Sequence, residues 1–388
     1  MRRLIILFIF SSFIAKAEKV DSTELLIADM SVQIEATEAM NAMYNFDFDK
    51  ARIQYNWLMQ KYPESPLSYF LLGLNEWWKM LPDSDVDTYD EAFHYYMDTS
   101  IMIAERMLNI EKKRIEGAFF LAAAYGFKGR LYSDRGQWGK AASAGKSALK
   151  YLDISKEQSY LSPELLFGDA LYNYFSVWIP ENYPILKPVL AFFPDGDKAL
   201  GIEQLEEVSA NAFYTRIEAQ IFLMQILASD KHDYGAALRM VKYLHEHYPN
   251  NPYFHRYYAR YLYSNSLYRE LEPVALEILA RIDAAWPGYE GTSGRYASFF
   301  LGQLYQSRGD REKAKRYYQL AVEFAEQTDD MDTGYNLYAI LSLARIARLD
   351  GDNKAAKDYC RQVKKLASRK DRTYKEANKL LKAIRKES

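Results

Sequence analysis

Five histidines, one cysteine and two acidic clusters are the side chains of this 388-residue sequence whose types could do chemistry. His245-Glu246-His247 offers two imidazoles beside a carboxylate. A metal pair on a helix wants positions i and i+4, and residues two apart point to different faces. The triplet therefore reads as a solvated helix end. His94, His232 and His255 stand alone. The run Asp83-Ser84-Asp85-Val86-Asp87-Thr88-Tyr89-Asp90-Glu91 begins like a calcium loop. Such a loop needs Gly at its sixth place and Glu at its twelfth, where this sequence has Thr88 and His94. The expected structure is an acidic loop whose Asp87 or Thr88 caps a helix starting near Tyr89. A second cluster, Asp329-Asp330-Met331-Asp332-Thr333-Gly334, fits calcium less well. No Gly-x-Ser-x-Gly elbow, phosphate loop or dinucleotide glycine pattern occurs. No catalytic residue, cofactor or metal site is assigned, and the chain reads as a non-enzyme.

The elements that would hold such groups follow from composition and patterning. Lys+Arg and Asp+Glu nearly balance at 50 against 52, and 49% of residues are apolar, which suits an ordered globular chain. Tyrosine supplies 33 of the 59 aromatics. The single Cys360 excludes an intramolecular disulfide.

Residues 1–17 read as a cleaved signal peptide, with Arg2 and Arg3, an apolar run from Leu4 to Ile14, and Ala15-Lys16-Ala17. Eleven apolar residues reach about half the thickness of a bilayer core. No later segment is a transmembrane candidate. A signal peptide without disulfides places the mature chain in the periplasm, or secreted, in a Gram-negative-type bacterium. Cleavage takes the formal net charge from −2 to −5, which gives no reason to expect nucleic acid. Residues 18–43 carry six acids and one Lys; residues 357–388 carry twelve Lys+Arg and four acids. These ends read as solvated helix faces or, for the basic C-terminus, as a peripheral contact with the envelope.

The dominant signal is a repeat. DFDKARIQYNWLMQKYPESP, residues 47–66, aligns without a gap on DYGAALRMVKYLHEHYPNNP, residues 233–252. Each has an Asp start, a small anchor, apolar positions four and seven later, and a closing Pro. That spacing is one face of a helix, and Pro ends it. Further anchors fall at Ala92, Ala141, Gly201, Ala275, Ala314 and Ala356, beside Ala51 and Ala237, with gaps of 36 to 60 residues. Ala275 is followed by Leu279 and Ile282. Cys360 occupies the place of Tyr55 and Tyr318, so it is expected in the core. A preceding helix carries Gly-x-x-Tyr at Gly129/Tyr132 and Gly302/Tyr305, each followed by a glycine, Gly136 or Gly309.

These residues resemble the tetratricopeptide repeat (TPR), a helix–turn–helix unit of 34 residues. The resemblance implies an all-α, right-handed TPR-like solenoid of about eight helix pairs. The expected layout is a signal peptide (1–17), an N-terminal half-array (18–178), a Pro-rich apolar insertion (179–200), a C-terminal half-array (201–368) and a basic capping helix (369–388). The insertion, with Pro180, Pro184, Pro188 and Pro194 among Ile185, Leu186, Val189, Leu190, Phe192 and Phe193, is expected to pack on a neighbouring repeat or to roof a ligand cavity. The stretch from Phe167 through Gly201 to Leu205 is similar to the middle of the inclusion-body-clearance TPR family. No catalytic residues are carried over from that similarity, and the signal peptide, a departure from the family's intracellular members, points to a bacterial envelope branch.

Aromatic residues on the first helices would line the concave side of such a solenoid. Trp77, Trp78, Phe222, Tyr257, Tyr296 and Phe299, with Phe70, are the candidates, and Arg130 and Arg260, with Arg256 and Arg295, the polar anchors. The sequence therefore points to a scaffold that binds a protein or peptide on this face. The alternative is a carrier of a lipid or glycan, with the insertion as lid. Simple burial of these aromatics is the third reading.

Overall fold

The computed structural model describes residues 25–156, 158–187 and 194–387. The signal peptide reading, and Pro188, Val189, Leu190, Phe192 and Phe193, lie outside these residues. Seventeen α-helices and no strand occur among the described residues. They run α1 Met30–Tyr44, α2 Phe48–Lys61, α3 Leu67–Met80, α4 Asp90–Met107, α5 Arg114–Asp134, α6 Trp138–Lys156, α7 Leu166–Asn182, α8 Lys198–Asn211, α9 Arg216–Ser229, α10 Tyr234–His247, α11 Pro252–Ser264, α12 Tyr268–Asp283, α13 Gly291–Ser307, α14 Arg311–Gln327, α15 Gly334–Leu349, α16 Asn353–Leu366 and α17 Arg372–Glu387. Consecutive helices pair as α1/α2 through α15/α16, and α17 packs on the last pair. The chain is a TPR-like α-solenoid.

The repeat motif now has physical content at each position. Its Asp start is a helix cap. Asp47, Asp233, Asp310 and Asp352 each accept the backbone N–H three residues on, at 3.3, 2.9, 3.1 and 2.9 Å. That bond satisfies a donor the helix itself leaves open. One residue earlier the chain must turn through left-handed backbone. Gly136, Gly309 and Gly351 do so at φ +67°, +80° and +83°. Phe46, His232 and Ser266 hold the same place at +65°, +54° and +58°. The small anchors Ala51, Ala237, Ala275, Ala314 and Ala356 are all fully buried, and Tyr55, Tyr318 and Cys360 lie one turn further along in the same core. A Cβ on Gly302 would stand 2.6 Å from the Tyr318 ring, so the absence of a side chain is what lets that helix pair close.

Two registers shift. Gly73 meets Met97, which puts the anchor of α4 at the buried Phe93 rather than Ala92. In α12 the residue buried after Ala275 is Ile278, with Leu279 and Ile282 partly buried beside it.

The Pro-rich stretch also departs from expectation. α7 continues through Pro180 to Asn182. A proline close to a helix end removes one backbone bond and is tolerated there. Beyond it, Tyr183 is 54% and Ile185 86% exposed, so these two side chains do not pack on a neighbouring repeat.

The array curls until its first repeat meets its fifth and sixth. Tyr248, Asn250 and Asn251 bond to Asn41, Asn45 and Tyr44. Trp78 sits at the centre of this closure, 5.2 Å from Tyr44 and 5.5 Å from Phe254 by ring centres, and donates to Glu218 at 3.0 Å. Buried carboxylates pin two connections. Glu116 accepts from the Ile27 N–H at 2.8 Å, and Glu164 from the N–H groups of Tyr214 and Thr215 at 2.9 and 3.0 Å.

Candidate partner-binding face

The histidines weighed and set aside for metal binding are engaged with other rings. His245 stacks on His255 and Tyr258, with ring centres at 4.5 and 5.1 Å, while His247 turns to Tyr243 on the outer side. Buried His255 lies 2.9 Å from the Tyr289 hydroxyl, and burial pushes its imidazole pKa down to about 2. His94 stacks over Tyr132. No group of three metal-ligating side chains occurs among the described residues.

Both calcium-like loops are occupied by arginines. Arg135 grips Asp90 through Nε and Nη2, each at 2.7 Å, and donates to the carbonyls of Ser84 and Val86. Arg295 holds Asp330 at 2.7 Å and the Thr333 hydroxyl at 2.9 Å. A guanidinium supplies there the charge that a cation would bring. The helix after the first loop starts at Asp90 without a side-chain cap, so neither Asp87 nor Thr88 does the expected capping.

The aromatic candidates divide by burial. Trp78, Trp77, Phe299 and Phe70 are core residues, at 0, 3, 4 and 6% exposure. Trp78 is covered across the closure by Tyr44, Tyr253 and Phe254, and Trp77 by Phe93 of α4 and Phe127 and Arg130 of α5, so neither offers a partner a surface. Arg130, Phe222, Tyr257, Arg260 and Tyr296 are half-buried and reachable. The first helices gather them. The Arg130 guanidinium lies 4.7 Å from the Trp77 ring centre and 5.8 Å from Phe222. Phe222 continues to Phe175 and then Trp178, at 5.7 and 6.0 Å. On the next helices Tyr253 meets Tyr257 at 4.6 Å, and Arg260 lies over Tyr257 at 5.6 Å. Gln225 of α9 joins the two groups by donating to the Tyr253 hydroxyl at 2.6 Å.

Tyr335 completes the face and was not among the candidates. It meets Tyr296 at 4.6 Å and Phe299 at 4.9 Å. Burial pushes its hydroxyl up to about 12, so it is a neutral donor. Counted back from the turn glycines, Tyr296 is 13 residues before Gly309 and Tyr335 is 16 before Gly351. The two differ by about one helical turn on the same face, a register the repeat alignment alone does not supply.

The arginines also divide. Arg256 pairs with Glu290 at 3.1 Å and donates to the Pro82 carbonyl at 2.8 Å, which ties α11 to the connection after α3. Arg295 holds its loop as described. Both are structural. Arg130 and Arg260 form no ion pair among the described residues. Beneath Arg130, burial pushes the Glu218 carboxyl up to about 7, against the pull of Arg130 and the Trp78 N–H.

Helix pairs, capped turns and small-residue packing define a TPR-like helical-repeat protein. No family model matches the chain, and no curated protein matches it. Among solved structures it is similar to human IFIT1, solved as a dimer with PPP-AAAA, at 13% identity and a TM-score of 0.41 over 83% of this chain and 69% of that one. It is similar also to the P58(IPK) TPR domain (13%, TM-score 0.28, 92% and 99% covered) and to yeast Tom70 (13%, 0.27, 91% and 95%). These backbone likenesses are too low to bear on ligands. No helix among the described residues is long and apolar enough to cross a membrane.

Proposed function

We propose that this protein is a non-enzymatic scaffold of the bacterial envelope that holds a polypeptide partner against its inner face. One observation carries this reading. The first helices of separate repeats, α5, α9, α11, α13 and α15, bring Arg130, Phe222, Tyr257, Arg260, Tyr296 and Tyr335 to one half-buried surface. Half-buried tyrosines and arginines contribute large contact area at low entropic cost and concentrate binding energy. The apolar run in residues 4–14 supports export. At the C-terminal end, α17 presents Lys375, Lys379, Lys382 and Lys386 to solvent, a row suited to a peripheral contact with an anionic surface.

The test is affinity capture with the mature chain from its own envelope fraction, followed by native mass spectrometry. A stoichiometric protein partner that disappears with Tyr257→Ala and Tyr296→Ala is expected. Capture that both variants retain at wild-type level excludes the inner face as the site.

A further inference from the structure

The closure of the array also builds a cleft that shares no residue with the inner face. Ile34, Glu38, Asn41 and Asn45 follow one another at helical spacing, which sets them in one stripe along α1 about 16 Å long. Two hollows open along this stripe, and Glu38 lines both. In one, of about 670 Å³, Ile34 lies with Gln54 and Trp57 of α2. In the other, of about 400 Å³, Asn41, Asn45, Asp47 and Lys50 lie with His247 and Tyr248 at the end of α10.

The contacts that close the array also orient the polar groups of the second hollow. The side-chain oxygens of Asn41 and Asn45 accept from the Tyr248 hydroxyl at 3.3 Å and the Asn250 N–H at 3.0 Å, so each amide keeps its NH2 group as a donor. The His247 Nδ1–H donates to the Tyr243 carbonyl at 2.8 Å, which leaves Nε2 as an acceptor. Asp47 uses one carboxylate oxygen to cap α2 and keeps the other. Lys50 and Glu38, 3.4 Å apart and both exposed, add a further donor and acceptor. An anion here would meet two carboxylates, and a cation would meet the ammonium. A hydroxyl both donates and accepts, so an uncharged ligand rich in hydroxyls uses the whole set. The first hollow supplies the other half of sugar recognition. Trp57 is 49% exposed, and Lys61 lies over its ring at 5.0 Å. The negative face of an aromatic ring attracts the weakly positive C–H face of a sugar.

We propose that this cleft binds an uncharged oligosaccharide, with one ring stacked on Trp57 beside Ile34 and the next hydrogen-bonded by Asn41, Asn45 and His247. Its walls come from the first repeat and from α10, so the cleft exists only in the closed array. The protein then holds a glycan and a polypeptide at separate places.

The experiment is calorimetric titration of the full chain with three neutral sugars, cellotetraose, maltotetraose and chitotetraose. Binding of at least one is expected, at an affinity that added salt leaves unchanged. It should be about tenfold weaker in Trp57→Ala, about three- to tenfold weaker in His247→Ala, and unchanged in Tyr257→Ala on the inner face. Trp57 and His247 are both exposed, so neither variant removes a core residue. No binding of any of the three sugars, or wild-type affinity in both cleft variants, overturns the assignment. Affinity lost with Tyr257→Ala and kept with Trp57→Ala moves the sugar to the inner face and overturns it as well.

Discussion

The side-chain amide of Asn251 donates to the backbone carbonyl of Tyr44 at 2.7 Å, across 207 positions of sequence. The oxygen of the same amide accepts the N–H groups of Tyr253 and Phe254 at 3.0 and 3.2 Å, which caps α11. Asn251 is fully buried. One side chain thus starts the sixth helix pair and fastens the first pair to it. With Tyr248, Asn250, Trp78 and Arg256 it adds long-range contacts to a type of array whose repeats otherwise touch only their neighbours.

Asn251→Ala should destabilise the fold by about 2–4 kcal/mol, the sum of a lost cap and an orphaned buried carbonyl. Asn251→Asp keeps the cap but turns a carboxylate oxygen on the Tyr44 carbonyl. Its loss should concentrate in the closure. Hydrogen exchange checks this: amides at the end of α1 should lose protection in Asn251→Asp before those of α13 to α16 do.

The turn that joins paired helices gives a second prediction, of opposite sign. Ser266 is exposed and held at φ +58°, where glycine stands in three sister repeats. A non-glycine residue costs about 1–2 kcal/mol there, partly offset by the chain entropy of glycine. Ser266→Gly should therefore raise stability by about 0.5–1 kcal/mol in urea unfolding. Gly309→Ala, at φ +80°, should lower it by a similar amount. Phe46→Gly should not follow Ser266→Gly, because the Phe46 ring packs on Phe48 at 4.8 Å.

The sequence made the helix pairs legible because caps, small anchors and turn glycines are local. Each needs only its own neighbours to be recognised, and Asp47, Ala51 and Tyr55 behave as read. The closure was not legible. Nothing local in Trp78 says that Tyr44, Glu218 and Phe254 will surround it, so a residue expected on an open face became core. The acidic loop at 83–90 was misread at its cap for the same reason: its charge is matched by Arg135, 45 residues beyond Asp90. The inner face was legible in part. Of the aromatic and arginine candidates, Arg130, Phe222, Tyr257, Arg260 and Tyr296 are half-buried on first helices, whereas Trp77, Trp78 and Phe299 are core. Tyr335, in contact with Tyr296 and Phe299, needed the structure.

The last helix should act as a cap on the core of the final repeat. α17 buries Ala377 and Leu381 against Leu337, Ile340, Leu341 and Val363, while its lysines face water. Deleting residues 373–388 uncovers that apolar set, and exposed apolar patches drive association. The truncated chain should sediment as concentration-dependent aggregates. A soluble monomer with the parent's melting temperature would show that α17 caps nothing.

Glu218 yields a pH dependence whose sign can be worked out. Its ordinary pKa is 4.5, and burial pushes the folded value up to about 7. Between those values the folded chain keeps a proton that the unfolded chain has lost. Stability therefore falls as pH rises through this window and levels off above it. Glu116 is raised in the same way, and His255, held neutral by burial, contributes the opposite slope below its ordinary value of 6.5. The wild-type profile is thus a mixture, and the difference between Glu218→Gln and wild type isolates one group. Glutamine can still accept the Trp78 N–H without carrying charge. Relative to pH 4.5, Glu218→Gln should gain on the order of 2–3 kcal/mol over wild type by pH 8. Guanidinium unfolding at pH 4.5, 6 and 8 measures this, and a difference that stays constant across the three would mean that Glu218 does not titrate in this window.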